Sequence, residues 1–353
     1  MILTHERPGV YSQFDASSVV SGAPGARFVG AAGVCPNGAA ADPLIVTNYA
    51  QAVSLFGGEG GGLTELIRLI LRGGAARVAA MPIVKASPGV NDYKAAFAAL
   101  NDVEDLPILV CDSADLSVQQ ALRDAVRDAS EARRERVAVV GLNADEPTLL
   151  TARAKALQSE RVMLVAPRVL NDGGEVLSGC YLAAAVAGVM ARNTDPALPL
   201  GGAVVPGLGG LNVRYSDNDI DLLVTNGVTP LEELAGEVSV LRAVTTRTET
   251  GGAPDTTWRE LSTILIADNV ISGLRRALRA RFTRAKNTAQ VRGAIRSQVV
   301  MELEAKKMAE IITGYQNVTA VQSADNPTVC EVAFEFGVAH ALNQIFITAH
   351  ILV

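Results

Sequence analysis

Three histidines, His5, His340 and His350, are the side chains best suited to move protons or hold a metal near neutral pH. None sits at metal-ligand spacing, and no His-Glu-x-x-His or Cys-x-x-Cys pair occurs. His340 and His350 bracket the last apolar run, where packed or hydrogen-bonded roles are expected. Gly-x-Ser-x-Gly is absent, so a hydrolase nucleophile elbow has no support. The glycines between Gly57 and Gly62 precede a helix, where backbone amides could hold a phosphate. Yet no Lys-Ser/Thr follows, and Leu63 stands where the third glycine of a dinucleotide fingerprint belongs. Asp217, Asp219 and Asp221 share one stretch but form no calcium loop. The expectation is a protein without catalytic residues, metal or cofactor. An α/β enzyme holding a nucleotide-type ligand on the glycine loop is the enzymatic alternative.

Charge is distributed unevenly. From Asn269 to Met301 there is no acidic residue, while Arg275, Arg276, Arg279, Arg281, Arg284, Lys286, Arg292 and Arg296 all fall there. Those eight positive charges leave −14 for the remainder of a chain whose formal net charge is −6. Arg275, Arg279 and Lys286 line one side of a helical pair, away from Leu274 and Leu278. Such a stretch is either a solvated helix face or a docking surface for an acidic partner. Direct nucleic-acid binding is disfavoured, because no aromatics are interleaved for base stacking and the net charge is negative.

Residues Asn343 to Val353 form an apolar, β-branched run. Alternation puts Ile345, Ile347, Ala349, Ile351 and Val353 on one face, and Phe346, Thr348, His350 and Leu352 on the other. Left unpaired, such a strand is an aggregation hazard. It is therefore expected to add to a sheet, in its own subunit or in a neighbouring one.

The elements that must carry these residues follow from periodicity. At 353 residues the chain accommodates two or three domains, and its 49% hydrophobic but 4% aromatic composition implies aliphatic, alanine-rich cores. Cys35, Cys111, Cys180 and Cys330 are widely spaced, as expected for reduced thiols of a cytosolic product. No basic region followed by an apolar run opens the chain, so no secretory signal is visible. The most apolar stretch, 180–191, falls short of the ~20 residues that cross a bilayer. Residues 1–24 read as an extended arm containing Val19 and Val20.

From about 27 to 167 strands alternate with helices. Strands are expected at 77–84, 106–111, 137–142 and 161–166, with helices at 63–72, 92–100, 117–133 and 147–159. This spacing predicts a mainly parallel α/β sheet covered on both faces. A small-residue helix at 177–190 and a strand at 238–246 follow. Thr257 and Glu260 fit a capping box for a long helix, and a second helix runs from Asn287 to Gly314 as its C′ glycine. Strands at 328–338 and 343–353 close the chain. The expected division is an arm at 1–24, an α/β domain at 25–200, a C-terminal α+β domain of long helices and a small sheet at 201–342, and an arm strand at 343–353.

The passage Thr245 to Thr263, together with Ile264 to Ile271, Lys286-Asn287, Arg292 to Ser297 and Ala339 to Ile345, resembles the tail sheath proteins of contractile phage tails. Pro8 to Tyr11 and Tyr49 to Gly58 are similar too. The likeness is to the short sheath type of phages, phage-tail-like bacteriocins and related injection systems. It is dense over 225–353 and patchy before. It implies hexameric rings stacked as a helical sheath around an inner tail tube, capped by baseplate and tail terminator proteins. Such particles assemble in the bacterial host cytoplasm and become part of a virion tail or tail-like particle, with no membrane partner. The resemblance also implies strand exchange between subunits, here through Val19, Val20, Ile345, Ile347, Ala349, Ile351 and Val353. In the family a C-terminal-domain helix touches the tube, and here Arg275, Arg276, Arg279, Arg284, Lys286, Arg292 and Arg296 are expected to supply that contact. Another self-assembling structural protein is the remaining alternative.

Overall fold

The computed structural model describes residues 28–58, 61–343 and 345–350. The first strand, β1 (Phe28–Val34), is built from small and aliphatic residues after Phe28 and lies inside the principal sheet. β2 (Leu44–Val46) and the helices α1 (Tyr49–Phe56) and α2 (Gly62–Gly73) lead to β3 (Arg77–Ile83). Strict alternation follows: α3 (Val90–Asn101), β4 (Ile108–Cys111), α4 (Leu116–Glu131), β5 (Val137–Gly141), α5 (Pro147–Leu157) and β6 (Val162–Ala166). The short β7 (Val169–Leu170) precedes α6 (Gly179–Arg192), and β8 (Gly210–Leu211) pairs back with β7. α7 (Asp217–Thr225) leads to the hairpin of β9 (Val228–Leu234) and β10 (Glu237–Val240), and β11 (Glu249–Thr250) pairs with β12 (Ala253–Pro254).

The eight-stranded sheet has the order β10-β9-β6-β5-β4-β1-β3-β2. β1, β3, β4, β5, β6 and β9 run parallel, and the edge strands β2 and β10 are antiparallel. β4, β5 and β6 are buried throughout, which is why their sequences are apolar without alternation. α2 and α6 cover one face, while α3, α4 and α5 cover the other. α6 is buried from Leu182 to Ala191. Its small residues let it lie against α2: a Cβ on Gly188 would sit 2.3 Å from the Ile70 carbonyl oxygen. β9 and β10 extend this sheet although they lie beyond the division expected at 200/201.

Two long helices and a hairpin form the remainder: α8 (Leu261–Phe282), α9 (Ala289–Met308), β13 (Ile312–Gln322) and β14 (Cys330–Val338). α8 belongs to both cores. Leu261 and Ile264 sit in the sheet's core, whereas Ile266, Val270 and Leu274 pack with Val299 and Leu303 of α9.

Three local expectations are corrected. Thr257 and Glu260 form no capping box; α8 begins after Glu260, whose carboxylate is held by Arg242 instead. α9 ends at Met308, and Glu310 takes the left-handed conformation (φ 57°) expected of a glycine. Gly314 lies inside β13, a strand that periodicity did not reveal because its buried positions are interrupted by register shifts. The strand expected at 238–246 ends at Val240, and the backbone beyond it turns to meet α8.

Candidate assembly surfaces

The sheet formed by β13 and β14 has only two strands. Each strand therefore presents one edge without a strand partner among the described residues. Open edges of nine or more residues invite further strands. Along β14 the burial alternates regularly: Val332, Phe334, Phe336 and Val338 turn toward the helices, while Glu331, Ala333, Glu335 and Gly337 are exposed. The aromatic pair Phe334 and Phe336 stacks at 6.0 Å.

Beyond β14 the chain touches the junction of the two cores through Ala341 and Asn343, next to Leu198, Pro199 and Leu265. It then leaves the surface. Among residues 345–350 there is no strand, and Ile345, Phe346 and Ile347 are 73%, 90% and 88% exposed. Ala349 is exposed as well. This is a run of apolar side chains that nothing among the described residues covers. Val19, Val20, Ile351 and Val353 lie outside the described residues.

α8 is tied to the end of the large sheet by paired charges. Arg161, just before β6, donates two hydrogen bonds to Asp268 of α8 at 2.8 and 3.0 Å. Burial works against the charge on Arg161, and the Asp268 contact outweighs it; burial pushes the Asp268 carboxyl up, and Arg161 pulls it back. Arg275 makes a second two-point contact with Glu135. Burial would raise the Glu135 carboxyl, but Arg275 holds it below the usual carboxylate range. Between these contacts lies a cleft of about 1120 Å³. Its floor includes Arg136, which is 2% exposed and has no carboxylate partner among the described residues. Its guanidinium donates instead to the carbonyls of Leu100 and Val103 and to the Asn101 side chain, at the C-terminal end of α3. Carbonyls at a helix C-terminus carry partial negative charge, which offsets part of the burial cost. Even so, burial lowers the Arg136 pKa to about 10.

The basic stretch is not one surface. Arg275 is engaged with Glu135, Arg292 with Asn287, and Arg296 with the Val318 carbonyl. Arg276 only approaches Asp105, at 3.9 Å, and remains exposed. Arg279, Arg284 and Lys286 are exposed and have no carboxylate within 4.0 Å among the described residues. Periodicity could not separate these sets, because the partners Glu135 and Val318 are remote in sequence or on an unforeseen strand. The clasp residues Glu135, Arg161 and Asp268 also went unnoticed. The only available signal was an aspartate inside an otherwise apolar helical pattern.

The residues that first suggested chemistry are in structural use. The Gly62 amide donates to the Tyr181 hydroxyl, and Thr64 donates to the Gly57 carbonyl. Glu65, buried and paired with Arg68, puts a carboxylate in the first turn of α2. Burial raises the Cys111 and Cys180 thiols, the latter to about 12, which keeps them protonated and unreactive. Asp112 accepts hydrogen bonds from Tyr93 and the Val34 amide at 2.6 Å each, joining the ends of β1 and β4. Among the described residues no group of three His, Cys, Asp or Glu side chains could hold a metal. His340 and His350 are exposed.

Residues 86–246 match the phage tail sheath protein central domain, and residues 253–351 match the phage tail sheath C-terminal domain. The chain is 24% identical over 320 residues to the tail sheath protein of Mycobacterium phage Bxz1, covering 85% of this chain and 53% of that protein. It thus spans about half the length of the curated relative it matches. Among solved structures it shares the fold of the anti-feeding prophage helical sheath in the contracted state, with a TM-score of 0.73, 16% identity, and coverage of 98% of this chain and 99% of that one. The contracted sheath complex of the PVC extracellular contractile injection system gives a TM-score of 0.70 at 13% identity, over 99% and 98% of the two chains. The sheath tail protein from Desulfitobacterium hafniense gives 0.71 at 12% identity, over 89% and 93%.

Proposed function

The chain belongs to the phage tail sheath protein family, and on that premise we propose that it is the structural subunit of a contractile tail sheath. Copies polymerise as stacked hexameric rings around an inner tube. Contraction of the sheath drives the tube through a target envelope. The observation that carries this reading is the exposed apolar run at 345–350 together with a two-stranded sheet whose edges are open.

Strand exchange connects these features: the arms at 1–24 and 343–353 complete the sheets of neighbouring copies. Each backbone hydrogen bond across such a joint contributes only ~0.5–1.5 kcal/mol net, so strength comes from repetition around the assembly. A head-to-tail contact that does not close generates an open helix. Energy for contraction is the difference between two packings of the same folded subunits, so no nucleotide is consumed.

The partners are other copies of the chain, the inner tube protein, and baseplate and tail terminator proteins. The particle assembles in a bacterial cytoplasm as a virion tail or tail-like device. Among the described residues no helix is long and apolar enough to cross a membrane. Of the basic residues expected at the tube, Arg276, Arg279, Arg284 and Lys286 are the ones with side chains left to reach a partner. The fold divides functionally into the sheet with its covering helices and the unit made by α8, α9, β13 and β14.

Deletion of residues 343–353 tests the proposal. The shortened chain is expected to stay folded by circular dichroism and to form no tubes or sheaths in negative-stain images. Loss of the native fold would show instead that the segment is part of the subunit's own core, and the reading would fail.

A further inference from the structure

Two Asn-Gly pairs occur in the chain, Asn37-Gly38 and Asn226-Gly227. In such a pair the glycine backbone nitrogen can attack the asparagine carboxamide, because no Cβ shields it and the backbone is unusually free. What holds the two groups decides whether it does. Asn226 follows α7, and its Nδ2 donates to the Leu222 carbonyl at 2.8 Å. Gly227 is buried and its amide donates to the Val224 carbonyl at 3.3 Å. The Thr245 carbonyl oxygen lies 2.7 Å from where a Cβ on Gly227 would stand. Nucleophile and carboxamide are both tied here, so reaction requires local opening.

Asn37 stands exposed in the loop 36–43 between β1 and β2. Neither its carboxamide nor the Gly38 amide makes a hydrogen bond among the described residues. Its own backbone amide donates to the Phe56 carbonyl at 3.2 Å, which places the residue at the C-terminal end of α1. Its Nδ2 stands 2.9 Å from the point that a Cβ on Gly57, the cap of that helix, would occupy. A helix end exposes carbonyls and carries partial negative charge, which a neutral carboxamide tolerates and a carboxylate does not.

We infer that Asn37 is a site of spontaneous deamidation and that Asn226 is not. The Gly38 nitrogen bonds to Cγ of Asn37, the Cγ–Nδ2 bond breaks, and ammonia leaves with the proton lost by the glycine amide. Water then opens the cyclic imide at either carbonyl, giving aspartate or isoaspartate. One water is consumed and one ammonia released, with no oxidant or reductant. The product sets a carboxylate beside the last carbonyls of α1, against the helix dipole, so the final turn of α1 and the corner at Gly57 open more often.

Peptide mapping by mass spectrometry tests this on the full-length chain during incubation at mildly alkaline pH, with enzymatic methylation marking isoaspartate. The peptide holding Asn37 is expected to convert at least tenfold faster than the one holding Asn226, the effect of a local opening that costs ~1.4 kcal/mol. Equal rates, or faster conversion at Asn226, overturn the assignment. So does an intact Asn37 at a time when a synthetic peptide of residues 33–42 has fully reacted. Hydrogen exchange tests the consequence. Amides in the last turn of α1 should exchange several-fold faster in the aged chain and in Asn37→Asp than in fresh parent, while aged Asn37→Gln should match fresh parent. Unchanged exchange in both the aged chain and Asn37→Asp would refute the loosening of α1.

Discussion

Arg275 of α8 holds both carboxylate oxygens of Glu135, at 2.7 and 3.2 Å, across 140 residues of sequence. The contact bridges the two units of the subunit at the mouth of the cleft. It sits beside the Arg161–Asp268 pair, so the helix is pinned at two points on one face, about two turns apart. Paired charges with two-point geometry supply angular restraint that apolar contacts lack, so the junction resists bending.

Glu135 gives the junction an acid limit. Its carboxyl lies below the usual range in the folded chain, so its stabilising contribution is complete above the ordinary value of 4.5 and is lost as pH falls through the folded value. Asp268 has the opposite sign, since burial raises its carboxyl and the folded state takes up that proton first. Glu135→Gln should therefore be less stable at neutral pH, by on the order of 1 kcal/mol given that Arg275 is about a third exposed. Its stability should also fall less steeply than the parent's between about pH 5 and pH 3. Urea titrations at a series of pH values measure both; parallel curves for the two proteins would contradict this account.

Arg136 is the buried cation most exposed to mutational damage. Arg136→Met keeps the bulk but leaves the Val103 carbonyl without its side-chain donor, while the Leu100 carbonyl keeps the Val103 amide. A loss of about 1–3 kcal/mol is expected for the orphaned acceptor. The denaturation midpoint reports it. A variant as stable as the parent would mean that water replaces the guanidinium at no cost.

Gly188 marks the closest approach of α6 to α2. Alanine there would place a methyl 2.3 Å from the Ile70 carbonyl oxygen and 3.0 Å from Gly73. Since both contacts are backbone, the helices must separate. Gly188→Ala should cost about 3 kcal/mol or more, near the upper end for overpacking. An unchanged melting temperature would show that the helix pair has slack.

The proposed tube contact is testable on residues with no strong internal role. Arg276→Glu with Arg279→Glu should leave the monomer folded and weaken co-assembly with tube protein, most clearly at low salt, where exposed charges are least screened. Normal, full-length sheathed tails from the double variant would remove these residues from the interface.

Much of the fold was legible in the linear pattern. The uniform apolar runs of β4, β5 and β6 announced a covered parallel sheet, and the helical spacing of Leu261, Ile264, Leu274 and Leu278 announced α8. The alternation of Ile345, Ile347 and Ala349 was equally plain. β13 was not, because its register shifts break the period of two, and Gly314 looked like a helix stop. The C-terminal signal of α9 was hidden because Glu310, not a glycine, takes the left-handed position.

The sequence by itself determined which segments could be strands or helices, where positive charge collects, and that an apolar row near residue 345 needs covering. Those are local properties, set by side-chain type and the periods of 2 and 3.6 residues. Only the tertiary structure decided that Arg275, Arg292 and Arg296 have partners within the subunit while Arg279 has none among the described residues, and that β14 is the under-covered edge. Pairing and burial depend on which distant residues meet, and that is settled by packing two cores around one shared helix.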